Sequence, residues 1–199
     1  MTEPAYPLEQ SWPAPGAWTY ADYLRLPDDG QRYEVIRGHL YVSPAPRFEH
    51  QFTVVRLSRF LDVYVSENDL GTVLVAPFDI LLPQQIAEPV QPDVLFFRKG
   101  NEPQVGDKNF SGVPDLIVEV LSPSTRRLDE KVKLAAYRDA GAPEVWFADP
   151  KPRTLLVYRL DESTRTYVEE AHHGPGETLA SVSFPGLQIE IDAIFPPKR

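Results

Sequence analysis

The spacing of apolar residues along the chain predicts three helices and a series of short strands. Recurrence every three or four residues is typical of an amphipathic helix, whereas alternation or a short apolar run is typical of a strand. The predicted helices are Tyr20–Leu26, Glu49–Ser66 and Leu128–Ala140, the last ended by Gly141. The predicted strands are a hairpin over Arg32–Val42 that turns at Arg37-Gly38, then Val73–Ala76, Phe78–Leu82, Val90–Phe97, Asp115–Leu121, Glu144–Ala148, Thr154–Arg159, Thr166–Ala171, Leu179–Val182 and Leu187–Ile191.

The order of these elements predicts one α/β domain with a central mixed β-sheet flanked by helices. The stretch Asp115–Leu121 is almost wholly apolar and β-branched, which is typical of a strand buried on both faces. Residues 1–17 are rich in proline and predict an irregular N-terminal arm. Residues 18–199 form the predicted domain, with a polar loop over Asn101–Gly112 and a short β-rich C-terminal part after about residue 160.

Composition removes several classes of protein and of site. Hydrophobic residues make up 42% of the 199, enough to bury a core, and there is no cysteine. A disulfide framework, a thiolate nucleophile and a cysteine-based zinc site are therefore excluded. Neither a signal peptide nor an apolar run of roughly 18 residues is visible. We expect a cytoplasmic protein that does not associate with membranes.

The net charge of −9, with a pI of about 4.9, argues against a general nucleic-acid binder, because such binders rely on basic residues. One local stretch has the opposite sign. Between Arg126 and Arg138 there are five basic residues and two acidic ones, a surplus of three positive charges. This stretch is either a local basic patch or an ordinary solvated helix face.

Glu119 interrupts a predicted strand that is otherwise apolar after its first residue. Removing an ionised carboxylate from water costs several kcal/mol unless the group is paired or bound to a metal. Because side chains alternate along a strand, Glu119 lies on the same face as Ile117 and Leu121. The residue is therefore a candidate site acid, and the alternative is a glutamate at the sheet rim paired with an arginine.

Two further polar features lie near this strand in the predicted fold. Asp93 follows Pro92 at the entry to an apolar strand, although Pro-Asp is also a common turn dipeptide. On the helix after the Glu119 strand, Asp129, Lys133 and Tyr137 are spaced four apart and share one face. The alternative for Asp129 and Lys133 is an ordinary surface ion pair.

Two carboxylates and a lysine are a minimal set for phosphodiester hydrolysis. Mg²⁺ takes a few carboxylate oxygens and keeps several waters. It polarises the phosphoryl group and activates a water, and a nearby lysine stabilises developing negative charge. Glu34, in the first predicted hairpin, is a candidate further acid. The sequence therefore favours a Mg²⁺ or Mn²⁺ site around Asp93 and Glu119.

These residues resemble the motifs of the PD-(D/E)XK nuclease superfamily, and within it the Uma-type family of restriction-endonuclease-like proteins. The resemblance covers roughly Tyr20–Tyr158. The segments that carry it are Tyr33–Gly38, Gln91–Val94, Val113–Thr125, Lys133, Tyr137, Gly141–Trp146 and Asp149-Pro150.

The resemblance implies a restriction-endonuclease-like fold with Asp93 and Glu119 as metal-binding acids, Lys133 as the lysine and Glu34 as the upstream acid. It also implies a homodimer that acts on nucleic acid, with DNA the expected substrate. His50 matches a frequent family histidine without an assigned role, and its alternative is a helix-end histidine.

The chain departs from the superfamily pattern at one position. The lysine expected two residues after the acid is replaced by Leu121, so the lysine would come from the helix, as Lys133 or, failing that, Lys131.

Three functions remain open from the sequence. The first is a metal-dependent DNA endonuclease, and the second is a catalytically silent relative that serves as a binding or assembly module. The third is a hydrolase of small phosphoesters, which would suit an acidic protein better than long DNA. A silent relative would be expected to lose the acids or the lysine, and this chain keeps Asp93, Glu119 and Lys133, which favours an enzyme.

Overall fold

The computed structural model describes residues 11–181 and 183–197. Within them the helices are short apart from one. They are α1 (Tyr20–Tyr23), α2 (Phe48–Glu67), a 3-10 turn (Pro83–Gln85), a π-helical segment (Leu128–Lys133) continuous with α3 (Leu134–Ala140), and α4 (Ile191–Ile194). The strands are β1 (Arg32–Ile36), β2 (His39–Ser43), β3 (Gly71–Val75), β4 (Asp79–Leu81), β5 (Val94–Arg98), β6 (Asn109–Ser111), β7 (Leu116–Val120), β8 (Glu144–Asp149), β9 (Thr154–Asp161), β10 (Thr166–His173), β11 (Thr178–Ala180) and β12 (Gln188–Glu190).

A six-stranded sheet forms the centre of the molecule, in the order β10-β9-β8-β7-β5-β3. The pair β7–β8 is parallel, and the other neighbouring pairs of this sheet are antiparallel. A parallel pair needs a crossover connection, and here the π-helical segment and α3 supply it. The predicted α/β fold with a mixed central sheet is confirmed.

Each face of the sheet carries its own hydrophobic core. Leu116, Val118 and Val120 of β7 pack on one face with the buried side of α2 and the C-terminal segment. Ile117 and Leu121 lie in the core of the other face, which includes residues of β1 and α3. This alternation is the one expected for a strand buried on both faces, and it places Glu119 on the second face, as the sequence predicts.

The observed elements differ from the predicted ones at several places, and the short helix α4 was not predicted. The helix predicted over Leu128–Ala140 begins with six π-helical residues, and the helix predicted over Tyr20–Leu26 ends at Tyr23. The loop predicted over Asn101–Gly112 contains β6, which pairs with β4 in parallel. Strand β5 begins at Val94, later than predicted, and Pro92 just before it has no N–H to donate to a ladder.

The C-terminal third contributes to the central sheet and to a separate hairpin. Strand β10 pairs with β9 at one edge of the central sheet, and β11 pairs with β12 in a two-stranded sheet of their own. The strand predicted over Leu179–Val182 corresponds to β11, and Val182 lies outside the described residues. Residues 1–10 of the predicted arm and residues 198–199 also lie outside them.

Across the part of the chain that the structure describes, no helix combines the length and apolarity needed to cross a bilayer.

Candidate active site

Asp93 and Glu119 lie side by side at the same end of two neighbouring strands. Val94 of β5 is the register partner of Val118 of β7, so the residues just beyond this pair are Asp93 and Glu119. The backbone N–H of Val120 donates to Asp93 Oδ2 at 2.8 Å and ties the two strands together there. Both carboxylates are only 2% exposed.

Asp93 is held by donors from two other elements. Arg32 of β1 donates from Nη1 to Oδ1 at 2.9 Å, and His50 of α2 donates from Nε2 to Oδ2 at 3.1 Å. Burial alone would raise the pKa of Asp93, but the hydrogen bond from His50 and the charges of Arg32 and Lys133 hold it well below its usual range. Asp93 is therefore ionised and fixed in orientation.

Glu119 accepts two hydrogen bonds from the helix that covers its face of the sheet. Lys133 Nζ lies 3.1 Å from Glu119 Oε1, and the Tyr137 hydroxyl donates to the same oxygen at 2.5 Å. Glu119 Oε2 accepts no hydrogen bond from any of the described residues, and Glu119 lines an open cleft. One oxygen of this carboxylate is thus fixed and the other is available to a ligand.

Lys133 is buried among three carboxylates. Its Nζ lies 3.0 Å from Glu34 Oε1 and 3.6 Å from Asp129 Oδ1, in addition to the contact with Glu119. Glu34 Oε1 also accepts from the backbone N–H of Gln91 at 2.8 Å. Glu34 Oε2 is buried and has no hydrogen-bond partner in the structure, which leaves an acceptor of this cluster unsatisfied.

The electrostatics of the cluster follow from a surplus of acids. Burial raises the pKa of Glu119 despite the opposing charge of Lys133, and the charges of Asp129, Asp93 and Glu34 raise it further. Burial would lower the pKa of Lys133, but Glu119, Glu34 and Asp129 together hold it above its usual value. Lys133 is therefore a permanent cation. Among these acids, the surplus of negative charge acts most strongly on the pKa of Glu119.

The donor set fits a divalent cation that is bound mainly through water and substrate. Four carboxyl groups (Glu34, Asp93, Glu119 and Asp129) face two permanent cations (Arg32 and Lys133), so two negative charges are uncompensated if all four ionise. Among the described residues no three acidic or histidine side chains converge as a ready-made metal cage. Mg²⁺ is usually bound through one or two carboxylates together with waters and phosphate oxygens, and Asp93 and Glu119 match that pattern.

The two carboxylates form the floor of a cleft of about 1080 Å³. Its floor also includes Asp129 and Lys133, and its walls come from the segment after α1, from β1, and from the loop that leads into α2. The site is therefore open to a ligand of nucleotide size or larger.

Seven of the eight residues singled out in the sequence come together here. They are Glu34, His50, Asp93, Glu119, Asp129, Lys133 and Tyr137. Lys131 is exposed on the outer side of the π-helical segment and takes no part in the cluster, whereas Lys133 is 2% exposed. The structure thus brings Lys133, and not its fallback, to the position beside Glu119.

Sequence reasoning missed Arg32 and Gln91. Arg32 precedes Glu34 by two positions, so alternation along β1 places both on one face, and this spacing could have indicated that Arg32 joins the cluster. Gln91 supplies a backbone N–H to Glu34, while its side chain donates to Asp79 at 2.7 Å. A backbone donor of this kind leaves no signal in a sequence.

The basic stretch from Arg126 to Arg138 does not form a continuous basic surface. Arg126 pairs with Glu130 at 2.9 Å and with Asp149, and Arg138 pairs with Asp139 at 2.8 Å. Lys133 points into the buried cluster. Most of the basic side chains of this stretch are therefore paired with acids of the fold.

Comparisons with known proteins agree with this fold. The family described as "Uma2: Putative restriction endonuclease" matches residues 20–192. A crystal structure of a putative nuclease belonging to DUF820 from Anabaena variabilis ATCC 29413 superposes with a TM-score of 0.73 at 19% sequence identity, covering 89% of this chain and 97% of that one. At this identity the likeness concerns the fold. No curated protein matches the chain.

Proposed function

The chain belongs to the Uma2 family of putative restriction endonucleases, and on that premise we propose that it is a Mg²⁺- or Mn²⁺-dependent phosphodiester hydrolase that cuts nucleic acid, with DNA as its substrate. The observation that carries the proposal is the buried cluster at the ends of β5 and β7. A surplus of carboxylates around one lysine is costly to bury, and a divalent cation at the mouth of the cluster would offset that cost.

In the proposed mechanism Asp93 and Glu119 would hold the cation, which would polarise the phosphoryl group and make water a stronger nucleophile. Arg32 and His50 orient Asp93 through hydrogen bonds of 2.9 and 3.1 Å. Tyr137 fixes Glu119 Oε1. These contacts keep both acids in one geometry, which is a precondition for positioning a scissile phosphate.

Lys133 has the proposed role of stabilising the negative charge that develops on the phosphate. Its Nζ is held between Glu34, Glu119 and Asp129, so its position does not depend on the substrate. A fixed cation in a site that excludes much of the water stabilises a transition state more than a mobile one in solvent does. Glu34 and Asp129 thereby act through Lys133.

The test is cleavage of supercoiled plasmid, linear duplex and single-stranded DNA with Mg²⁺ or Mn²⁺. We expect Glu119→Gln and Asp93→Asn each to lose about 10³-fold or more of the rate, because a Lewis-acidic cation contributes several kcal/mol and each ~1.4 kcal/mol is a factor of ten. Glu144→Gln is the matched control, since Glu144 is equally buried at 2% exposure but lies on β8, outside the cluster.

Other outcomes distinguish the two alternative functions. Metal binding without cleavage of any nucleic acid would favour a hydrolase of small phosphoesters, which an acidic protein could accommodate. If the protein neither cut nucleic acid nor bound Mn²⁺, a catalytically silent binding module would replace the enzyme. Undiminished Mn²⁺ affinity in both Glu119→Gln and Asp93→Asn would place the metal elsewhere.

The homodimer and the cytoplasmic location stay predictions. A dimer would provide one active site for each strand of a duplex. Sedimentation equilibrium of the full chain measures the oligomeric state directly. Fractionation of cells that express a tagged full-length chain tests the location.

A further inference from the structure

The cleft over the candidate site carries few charges that a phosphate backbone could use. Three permanently cationic side chains line it among the described residues: Arg32, Arg47 and Lys133. Arg32 is bonded to Asp93, and Lys133 is 2% exposed and surrounded by carboxylates. Arg47 is thus the lining cation of the described chain that is exposed and has no acidic partner.

The same cleft is rich in exposed apolar surface. The walls and the rim include the apolar residues Leu24, Leu26, Pro27, Pro44, Ala45 and Pro46, with Asp28 and Gln31 among them. Leu24 is 64% exposed, and the ring of Tyr33 is held beside this wall by a hydrogen bond of 2.8 Å from its hydroxyl to Asp29. A largely apolar wall whose charged side chains, apart from Arg47, are acids, at the mouth of an acidic floor, is unsuited to a polyanion that presents only phosphates.

Duplex and single-stranded nucleic acids differ in which surfaces they present. A duplex carries about one negative charge per 1.7 Å, and proteins that bind it well contact on the order of six to ten phosphates with basic residues. A single strand exposes the faces of unstacked bases, which proteins bind on aromatic and apolar surfaces with few ionic contacts. The composition of the cleft matches the second case.

We propose that the cleft takes a single-stranded polynucleotide segment, with its bases against the Leu24 and Tyr33 wall, one phosphate on Arg47 and the scissile phosphate over Asp93 and Glu119. The proposal rests on the proposed function and narrows its substrate class. The whole-chain charge of −9 acts in the same direction, since long-range repulsion penalises the denser charge of a duplex.

The test is fluorescence anisotropy of labelled oligothymidylate, oligouridylate and a hairpin duplex, each of about a dozen nucleotides per strand, which is within the reach of a single-strand groove. Ca²⁺ replaces Mg²⁺ so that binding is measured without cleavage, and salt is varied from about 50 to 200 mM. We expect the single strands to bind more tightly than the duplex. Their log–log salt slope should lie between about −0.7 and −1.4, since one or two phosphates are neutralised at about 0.7 each. The two single strands separate DNA from RNA.

Two variants and two matched controls locate the contacts. Arg47→Ala should flatten the salt slope by about 0.7, whereas Arg59→Ala, an exposed arginine on α2 outside the cleft, should leave it unchanged. Leu24→Ser should weaken binding about fivefold without changing the salt slope. This is the lower end of the loss in affinity expected when one base contact is removed. Val105→Ser, at a fully exposed apolar residue away from the cleft, should have no effect.

Failure of this inference and failure of the proposed function give different results. A duplex that binds more tightly than the single strands, with a slope of about −5 or steeper, or that alone is cut in Mn²⁺, overturns the inference and leaves the nuclease intact. Single strands that bind with the expected slope but are not cut in Mn²⁺ support the inference while the hydrolase proposal fails. Absence of binding to all three probes overturns the inference outright.

Discussion

At the residue scale, Lys133 compensates part of the negative charge of the acidic cluster and so contributes to the stability of the fold. Its ammonium group is the permanent cation that Glu34, Glu119 and Asp129 share. Removing one partner of a buried ionic group costs about 3–5 kcal/mol, because the remaining charges are left uncompensated. The lysine is therefore a structural residue as well as a candidate catalytic one.

We predict that Lys133→Met lowers the free energy of unfolding by about 3 kcal/mol in the presence of a chelator. Mn²⁺ should restore part of the loss, since a divalent cation near Glu119 replaces the missing positive charge. Urea denaturation with and without Mn²⁺ measures both effects. Lys131→Met, two positions earlier and exposed, is the control and should change little. A Lys133→Met variant as stable as the parent in chelator would contradict the prediction.

A second prediction concerns Glu144, which is buried on β8 and accepts hydrogen bonds from the Trp146 indole and the Ser183 hydroxyl. Burial raises its pKa although these two hydrogen bonds oppose the shift. The folded state then holds the proton more tightly than the unfolded state does, so the wild type loses stability as pH rises from the ordinary glutamate pKa through the raised value. Glu144→Gln removes the titration.

Relative to the wild type, Glu144→Gln should therefore be more stable at about pH 8 than at about pH 4, so the difference in the free energy of unfolding (variant minus wild type) should be larger at the higher pH. Urea denaturation at the two pH values checks the sign. Asp161→Asn is a useful comparison, because hydrogen bonds from Ser163 and Thr164 lower the pKa of that exposed acid and its dependence should run the other way.

Among single residues, the sequence allowed prediction of those whose polarity differs from that of their neighbours. Glu119 stands out as an acid within an apolar strand, and Asp93 and Lys133 follow from spacing and resemblance. The sequence could place Arg32 and His50 near the site at most, and not their contacts with Asp93, because these contacts join β1, α2 and the start of β5, which are far apart in sequence. Such contacts depend on tertiary packing and not on local pattern.

At the element scale, the π-helical segment connects the sheet to the site. Wide turns of this type are rare and are often found at functional sites. Here the segment carries Asp129 and Lys133, both buried. Hydrophobic periodicity predicted the helix but not its wide turns, because over six residues the two helical periods differ too little to be separated. Strand β6 was missed because Asn109-Phe110-Ser111 contains a single apolar residue within a polar, glycine-containing stretch.

The edge strand β3 depends on a glycine at its first position. Gly71 has a φ of +148°, and a Cβ built there would lie 2.0 Å from the carbonyl oxygen of Phe97 on the neighbouring strand β5. Because the obstacle is backbone, Gly71→Ala should destabilise the protein by about 3 kcal/mol or more, through strain at a special backbone conformation and a forced shift of the strand.

Gly100→Ala is the matched control for this prediction. Gly100 also has a positive φ, of +92°, but a Cβ added at Gly100 would have nothing within 4 Å, so we expect a cost of only about 1 kcal/mol. Thermal denaturation of both variants gives the comparison. Equal losses of stability in the two variants would mean that the close approach of β3 to β5 does not make Gly71 necessary.

At the scale of the whole molecule, the site is assembled from elements that are far apart in sequence. The hairpin β1–β2, the helix α2 and the central strands each provide a cluster residue, so a ligand that binds there is linked to global unfolding. A cation that binds only the folded state stabilises it by about 2.7 kcal/mol when present at 100 times its Kd. For a chain of this size 1 kcal/mol corresponds to roughly 2–4 °C in Tm.

We therefore predict that saturating Mn²⁺ raises the Tm by about 5–10 °C and that a chelator reverses the rise. Differential scanning calorimetry provides the measurement. Asp93→Asn should lose most of the increase, while Glu144→Gln should keep it. An increase of equal size in Asp93→Asn would show that Mn²⁺ binds outside the candidate site.

The hydrogen bond from the Val120 N–H to Asp93 has a consequence for the evolution of such a site. The donor belongs to the main chain, and nineteen of the twenty amino acids provide it equally, because only proline lacks the N–H. Mutational drift at position 120 is therefore free to alter the packing on the other face of β7 without disturbing the acid. This main-chain hydrogen bond is inherited together with the pairing of β5 and β7. Lineages can therefore diverge widely in sequence and still hold the Asp93 carboxylate in the same orientation.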